Sequence, residues 1–251
     1  NDRIKVFDLS IAKLLDIQWP DVYHSPAYAE ADLASQGSGT TWELVLWRPS
    51  PEYSHFIIGH GYFKRPILHQ GKPMGYDICS CYGYSGPFAI GDIQAQNWAL
   101  FRRDFETFCS ESLYVAEFIR FSPLSADTDN ITRGFEQQSP TFRHWIHQKT
   151  VAVQLSEYWT RAATRHRTAN RKALRLGYRA QIRPASLEDF TEASSFLKLY
   201  EQTMQRVSAK MSYYFKADYY KALCTSTPSG CLFIGFVYAP PQISDAGEIE
   251  G

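Results

Sequence analysis

The chain has 251 residues, 44% of them hydrophobic and 15% aromatic, with 26 basic residues set against 26 acidic ones. That composition supplies a buried core and excludes global disorder, and a net charge of zero gives no overall drive toward nucleic acid or an acidic membrane surface. No run of about 18 apolar residues is present, no basic-then-apolar leader opens the chain, and five cysteines at no scaffold spacing read as reduced thiols of a cytosolic protein.

Asn1 to Asp16 is mixed in pattern, and both ends of the chain read as cut, with the last strand-like run left without a neighbour. Ser25-Pro26 then offers a helix start, with serine as cap and proline at the first helical position, for a helix over Tyr28 to Ser35. Trp42 to Trp47 alternates as a strand does, and Pro49 and Pro51 close it. His55 to Leu68 is a second strand, in which Gly59 and Gly61 mark a bulge or a close backbone approach.

This hairpin feeds Tyr76 to Phe88, YDICSCYGYSGPF, a loop too aromatic for ordinary turn chemistry. Gly83 and Gly86 permit backbone shapes closed to other residues, Pro87 fixes one φ, and Tyr82, Tyr84 and Phe88 set rings around the bend. Such a loop either forms a floor under a ligand or plugs the top of a core. Cys79 and Cys81 would share a strand face, but zinc would need a second pair that the sequence lacks. His144 and His147 read as a structural pair for the same reason.

Beyond the loop, Gly91-Asp92 opens a helix with Ile93, Trp98, Leu100, Phe101, Phe105 and Phe108 mostly on one side. Tyr114 to Phe121 is a strand buried on both faces, which makes Glu117 and Arg120 conspicuous: charges there need partners or a function. Asp127 to Gln138 is polar, without period, and reads as a surface loop.

A second unit begins near Lys149, with a strand at Val151 to Leu155 and a helix capped by Ser156 that runs to about Leu176 before Gly177. Its packing face is built from Trp159, small residues and leucines. Arg161, Arg165, Arg167, Arg171, Lys172, Arg175 and Arg179 cover the rest over roughly 30 Å of helix, with Glu157 the one nearby acid. Either a phosphate-bearing partner or plain solvated surface accounts for that clustering. Tyr178 to Ile182 is a strand, and Ser186 with Asp189 forms a capping box for a helix carrying Phe190, Leu197, Tyr200 and Met204. The cluster Tyr213-Tyr214-Phe215, a short helix at Ala217 to Cys224, a turn at Pro228 to Gly230 and the strand Cys231 to Tyr238 follow. The repeated order of elements predicts an α+β protein of two similar domains, 1–148 and 149–251, the second incomplete.

Four stretches, YDICSCYGYSGPF, EFIRFSPL (Glu117 to Leu124), YWTRAATRHRTANRKALRLGY (Tyr158 to Tyr178) and LYEQTMQRVSAKMSYYF (Leu199 to Phe215), together resemble the FemAB-like branch of the GNAT acyltransferases, the peptidoglycan-bridge aminoacyltransferase type. The resemblance implies tandem GNAT-like domains, each a mixed central sheet flanked by helices, in a cytoplasmic bacterial enzyme of cell-envelope biogenesis, peripheral at the inner face of the membrane. The chain departs from the pattern at Ser122, where relatives often carry a histidine before the proline, and it shows no Q/R-x-x-G-x-G/A pyrophosphate loop.

What the resemblance implies is direct transfer of an acyl or aminoacyl group to an amine of an envelope precursor or amino sugar. The donor would be a co-substrate, acyl-CoA, an acyl carrier protein or aminoacyl-tRNA, with no resident cofactor or metal. On this reading Tyr82, Gly83, Tyr84, Gly86 and Arg120 hold the acceptor. Glu117 and Tyr84 serve catalysis, with Arg120 as charge partner of Glu117 or a phosphate contact. Arg165, Arg171, Lys172, Arg175 and Tyr214 meet the donor. A module that kept the fold, lost the chemistry and binds a nucleotide-sugar or glycan is the alternative, and a nucleic-acid-binding protein led by the arginine-rich helix is a third reading.

Overall fold

The structure is a computed structural model that describes residues 2–50, 52, 55–123, 125, 127–146, 154–227, 231–243 and 249–250. The chain forms two compact units, Asn1–Ile146 with Leu187–Thr227, and His147–Ser186 with Pro228–Gly251. His147, Val151 to Val153 and the turn Pro228 to Gly230, each part of a sequence expectation, lie outside the described residues.

In the first unit the elements are β1 (Ile4–Asp8), α1 (Leu9–Ala12), α2 (Pro26–Leu33), β2 (Thr41–Trp47), β3 (Phe56–His69), β4 (Lys72–Cys79), β5 (Phe88–Gly91), α3 (Ala95–Glu111), β6 (Tyr114–Phe118) and α4 (Thr128–Gln138). The sheet runs β1-β2-β3-β4-β6, with β5 also paired to β3; every pairing is antiparallel except β4 with β6, so the sheet is mixed. Helices cover both faces. Val45, Trp47, Ile58 and Tyr62 point toward α3 and α4, where Trp98, Phe101, Phe105, Ile131 and Phe135 close the larger core. Trp42, Leu44, Phe63 and Phe88 point the other way and pack with Tyr28 and Ala29 of α2. Each ring so buried contributes about 1.5–3 kcal/mol relative to exposure, which makes this aromatic-rich sheet the stable base of the molecule.

The α+β class with a mixed, helix-flanked sheet therefore stands. Ser25 caps α2 by accepting the Tyr28 N–H, and Pro26 takes the first helical position. Gly59 is a close approach: a Cβ there would lie 2.3 Å from the Phe88 ring. Several expectations need correction. Tyr76 to Cys79 and Phe88 are strand, so the loop proper is Ser80 to Pro87. The helix predicted from Gly91-Asp92 starts at Ala95. Thr128–Gln138 is helix rather than surface loop, because Ile131, Gly134 and Phe135 give it one apolar stripe that α3 covers. β6 is an edge strand with Val115 and Phe118 well exposed, not a strand buried on both faces.

Later in the chain come α5 (Tyr158–Arg161), α6 (Thr164–Arg175), β7 (Arg179–Pro184), α7 (Ser195–Arg206), α8 (Ala217–Ser226), β8 (Phe233–Tyr238), β9 (Gln242–Ile243) and β10 (Ile249–Glu250). The basic helix is thus two pieces, since Ala162 and Ala163 adopt extended ψ values of 136° and 145°. α7 begins nine residues after Ser186, and Ser194 rather than Ser186 is its cap, accepting the Leu197 N–H. A cut between residues 148 and 149 differs from the observed division at Leu187–Thr227, which groups with the first unit. The physical reason is α8, whose Tyr219 packs on α2 and shares a hydroxyl hydrogen bond with Tyr28. The second unit pairs β7 with β8 antiparallel, and among its described residues Ile234 is the one buried apolar side chain. Among the described residues no helix is long and apolar enough to cross a membrane.

Candidate functional site

The loop Ser80 to Pro87 exists because one long strand has two partners along the same edge. Phe63 to His69 of β3 pair with β4, and Phe56 to Gly59 pair with β5, so the chain leaves the ladder after Cys79, skips His60 to Tyr62, and returns at Phe88 opposite Gly59. Buried polar groups fix it from behind. Asp32 of α2, fully buried, accepts the Tyr82 N–H at 2.6 Å through Oδ2, while its Oδ1 accepts from the Ser35 hydroxyl at 3.1 Å and the Gln36 amide at 3.3 Å. The Tyr28 hydroxyl donates to the Tyr82 carbonyl at 2.6 Å, so both backbone groups of Tyr82 are held. Burial pushes the Asp32 carboxyl up, and its hydrogen bonds and the Arg120 charge offset that only in part.

Gly83 sits at φ +100°, and a Cβ there would be 2.7 Å from the Tyr23 ring, so neither the turn nor its packing admits another residue without strain. Gly86 lies against Ile119 and Phe121 just past β6. Ser80 fastens the two segments together: its N–H donates to the Phe118 carbonyl at 3.0 Å, and its hydroxyl oxygen accepts the Arg120 N–H at 3.0 Å.

What the loop presents outward is a set of half-exposed rings. Tyr82 and Tyr84 are 40% and 38% exposed. Tyr82 meets Phe215 edge-on at 5.3 Å, and Phe215 stacks at 4.4 Å on Tyr219. Tyr84 meets Tyr23 at 5.7 Å. The Arg120 guanidinium lies 5.8 Å from the Tyr82 ring and 5.2 Å from the exposed Phe118 ring. Burial, then the neighbouring Tyr213, raises the Tyr82 phenol above its ordinary value against an opposing pull from Arg120, so at neutral pH it is protonated and donates. The arrangement offers ring faces to the C–H surface of a sugar or peptide, phenol donors to its polar edge, and the neighbouring Arg120 cation.

The remaining expected site residues fall elsewhere. Glu117 faces inward, where one oxygen meets His60 Nε2 at 2.9 Å and the other accepts from Arg102 of α3. Arg102 is itself paired to Glu106 at 3.0 Å. Burial would raise the Glu117 carboxyl, but the His60 hydrogen bond and the Arg102 charge outweigh it and hold the group at about 2. Its charge partner is therefore Arg102, with His60 as a hydrogen-bond partner, not Arg120, and a carboxylate so committed is a weak proton acceptor. Tyr214 is half-buried in the first unit, and the ring of its cluster that meets Tyr82 is Phe215.

Arg165, Arg171, Lys172 and Arg175 all lie on α6 in the second unit, every one exposed. Arg171 and Arg175 line a shallow surface concavity with Thr168 and Leu174, and the Arg171 guanidinium lies 5.8 Å from the Trp159 ring. Among the described residues no carboxylate forms an ion pair with any of the four. Asp32, Tyr28 and Phe215 are the site residues that the sequence reading did not assign. For Asp32 a signal was present: it is an acid on the otherwise apolar face of PAYAEADL. No family model, no curated protein and no solved structure matches the chain.

Proposed function

We propose that the chain is an acyl- or aminoacyltransferase that forms an amide on an amine of a cell-envelope precursor or amino sugar, with the acceptor resting on Tyr82, Tyr84 and Phe215. The observation that carries this reading is the loop anchored from behind by Asp32 and Tyr28 with its rings left open to solvent. A plug for a core would bury those rings; a floor for a ligand leaves them exposed and fixed. The resemblance to FemAB-like GNAT proteins supplies the reaction class and the reading of two GNAT-like domains, at work in the cytoplasm or at the inner face of the membrane.

In direct transfer the acceptor amine attacks the donor carbonyl, the amide bond forms as the donor's C–S or C–O bond breaks, and the proton lost by the amine leaves on the departing thiol or ribose hydroxyl. Tyr82 and Tyr84 orient the acceptor through ring contact and phenol hydrogen bonds. Glu117 stays with the internal ion pair and takes no proton from the amine. Arg165, Arg171, Lys172 and Arg175 are the groups offered to the phosphates of acyl-CoA, an acyl carrier protein or aminoacyl-tRNA. A second reading, a binding module without chemistry, draws on that same Glu117, since its commitment leaves the ring surface without the carboxylate base expected there.

The test is amide formation from labelled acyl-CoA and aminoacyl-tRNA onto amino-sugar acceptors, with wild type beside Tyr82→Ala. Product from wild type and a drop of about tenfold or more in kcat/KM for the variant, at unchanged melting temperature, support the transferase. Acceptor binding with no product from any donor moves the reading to the binding module. Equal turnover by both proteins removes the loop from the site.

A further inference from the structure

We infer that Arg120 selects ligands carrying an anion, a carboxylate or a phosphate, next to the ring that lies on Tyr82; this rests on the loop being the acceptor surface, as proposed above. The backbone on which Arg120 stands is fixed, because its N–H donates to Ser80 at 3.0 Å and the Ser80 N–H is tied to Phe118. Its guanidinium is positioned by two rings, Tyr82 at 5.8 Å and Phe118 at 5.2 Å. Ring contacts use the charge of a guanidinium without consuming its N–H donors, and its N–H fork matches the two oxygens of a carboxylate or phosphate.

No acid among the described residues takes up that fork. Among the described residues no carboxylate lies within ion-pair distance of Arg120, and Glu117, the nearest acid in sequence, points its two oxygens at His60 and Arg102. Asp32 feels the Arg120 charge, but its oxygens already accept from Tyr82, Ser35 and Gln36. Arg120 is thus an exposed cation set beside two aromatic rings on a tied backbone, without an acid partner among the described residues. A neutral sugar uses only the rings, whereas a sugar bearing an acid uses the rings and the fork together.

A matched set of probes separates the two contributions: N-acetylglucosamine, N-acetylmuramic acid (the same ring with one carboxylate) and N-acetylglucosamine 1-phosphate (the same ring with one phosphate). Binding is followed by calorimetry with wild type, Arg120→Met, Arg120→Lys and Tyr82→Ala. The expected result is that wild type binds at least one acidic probe about tenfold more tightly than the neutral one, the size of one charge-assisted hydrogen-bonded contact. Arg120→Met should lose that preference and keep the neutral affinity, Arg120→Lys should keep part of it, and Tyr82→Ala should weaken all three. Which acidic probe gains more tells carboxylate from phosphate. Equal affinity of wild type for all three, still sensitive to Tyr82→Ala, overturns the anion selectivity and leaves the acceptor surface standing. Absence of binding by every probe overturns both.

Discussion

The loop Ser80–Pro87 and helix α6 hold the two clusters of unusual residues in this chain, and they are built in opposite ways. Behind the loop the anchoring polar groups are spent: Asp32 has three donors, both backbone groups of Tyr82 are bonded, and Ser80 both gives and accepts. α6 has no buried residue, and its cations lie in solvent without acid partners among the described residues. Position is fixed in the first region, charge is concentrated in the second. Satisfied buried hydrogen bonds hold a side chain to one geometry, whereas exposed charges act at a distance and adapt. A surface that must orient a small acceptor needs the first kind of construction; one that meets the phosphates of a large or flexible donor can use the second.

The largest expected effect lies beneath the loop. Glu117→Ala would leave Arg102 and the buried His60 without their carboxylate, a loss of about 3–5 kcal/mol read from the denaturant midpoint. The pH dependence sharpens this. The Glu117 carboxyl sits at about 2 in the fold against an ordinary 4.5, so its stabilisation is complete above 4.5 and is lost as pH falls through that interval. Wild type should therefore lose stability between pH 5 and pH 2 more steeply than Glu117→Gln, by on the order of 3 kcal/mol. Parallel acid limbs in the two proteins would show that the ion pair is not formed in solution.

A smaller break comes at Asp32. Replacing it with alanine strands the buried Tyr82 N–H, at a cost of about 1–3 kcal/mol, and frees the ring that carries the proposed acceptor. Melting temperature and acceptor affinity should fall together. The pH effect has the opposite sign to that of Glu117, because burial raises the Asp32 carboxyl: its contribution to stability improves as pH falls through its folded value. Stability and affinity both unchanged in Asp32→Ala would mean that the loop is held by other contacts.

Much of this base was legible in the sequence wherever the signal is local. Ser25-Pro26 announces α2, the alternation from Trp42 to Trp47 announces β2, and the glycines and aromatics of residues 82–88 announce a special loop. What decides the site is non-local. Glu117 finds His60 57 residues away, and Asp32 finds Tyr82 50 residues away, pairings that no periodicity encodes. α4 was hidden because TDNITRGFEQQ has only one narrow apolar stripe, and it becomes a helix through its cover on α3. The break at Ala162 and Ala163 runs against propensity, since alanine favours helix, and nothing in the structure explains it.

The smallest expected effect on stability lies on α6, and there the proposal of a phosphate-bearing donor is most exposed to test. Neutralising Arg171 and Lys172 together, as Arg171→Gln with Lys172→Gln, removes two exposed cations that make no ion pair among the described residues, so stability should move by less than about 0.5 kcal/mol. Binding is a different matter if these cations displace counterions from a polyanion. Each phosphate neutralised contributes roughly 0.7–0.9 to the slope of log K against log salt, so the double variant should bind tRNA with a slope shallower by about 1.5. Acyl-CoA meets fewer phosphates and should show a shallow slope in both proteins. A titration across salt, by anisotropy of labelled ligand, therefore separates three cases that stability cannot. A steep slope lost in the variant assigns α6 to a polyanionic donor, a shallow slope with weakened affinity assigns it to a small one, and no change in either leaves α6 as charge without position and without a ligand, the limiting contrast with the anchored loop.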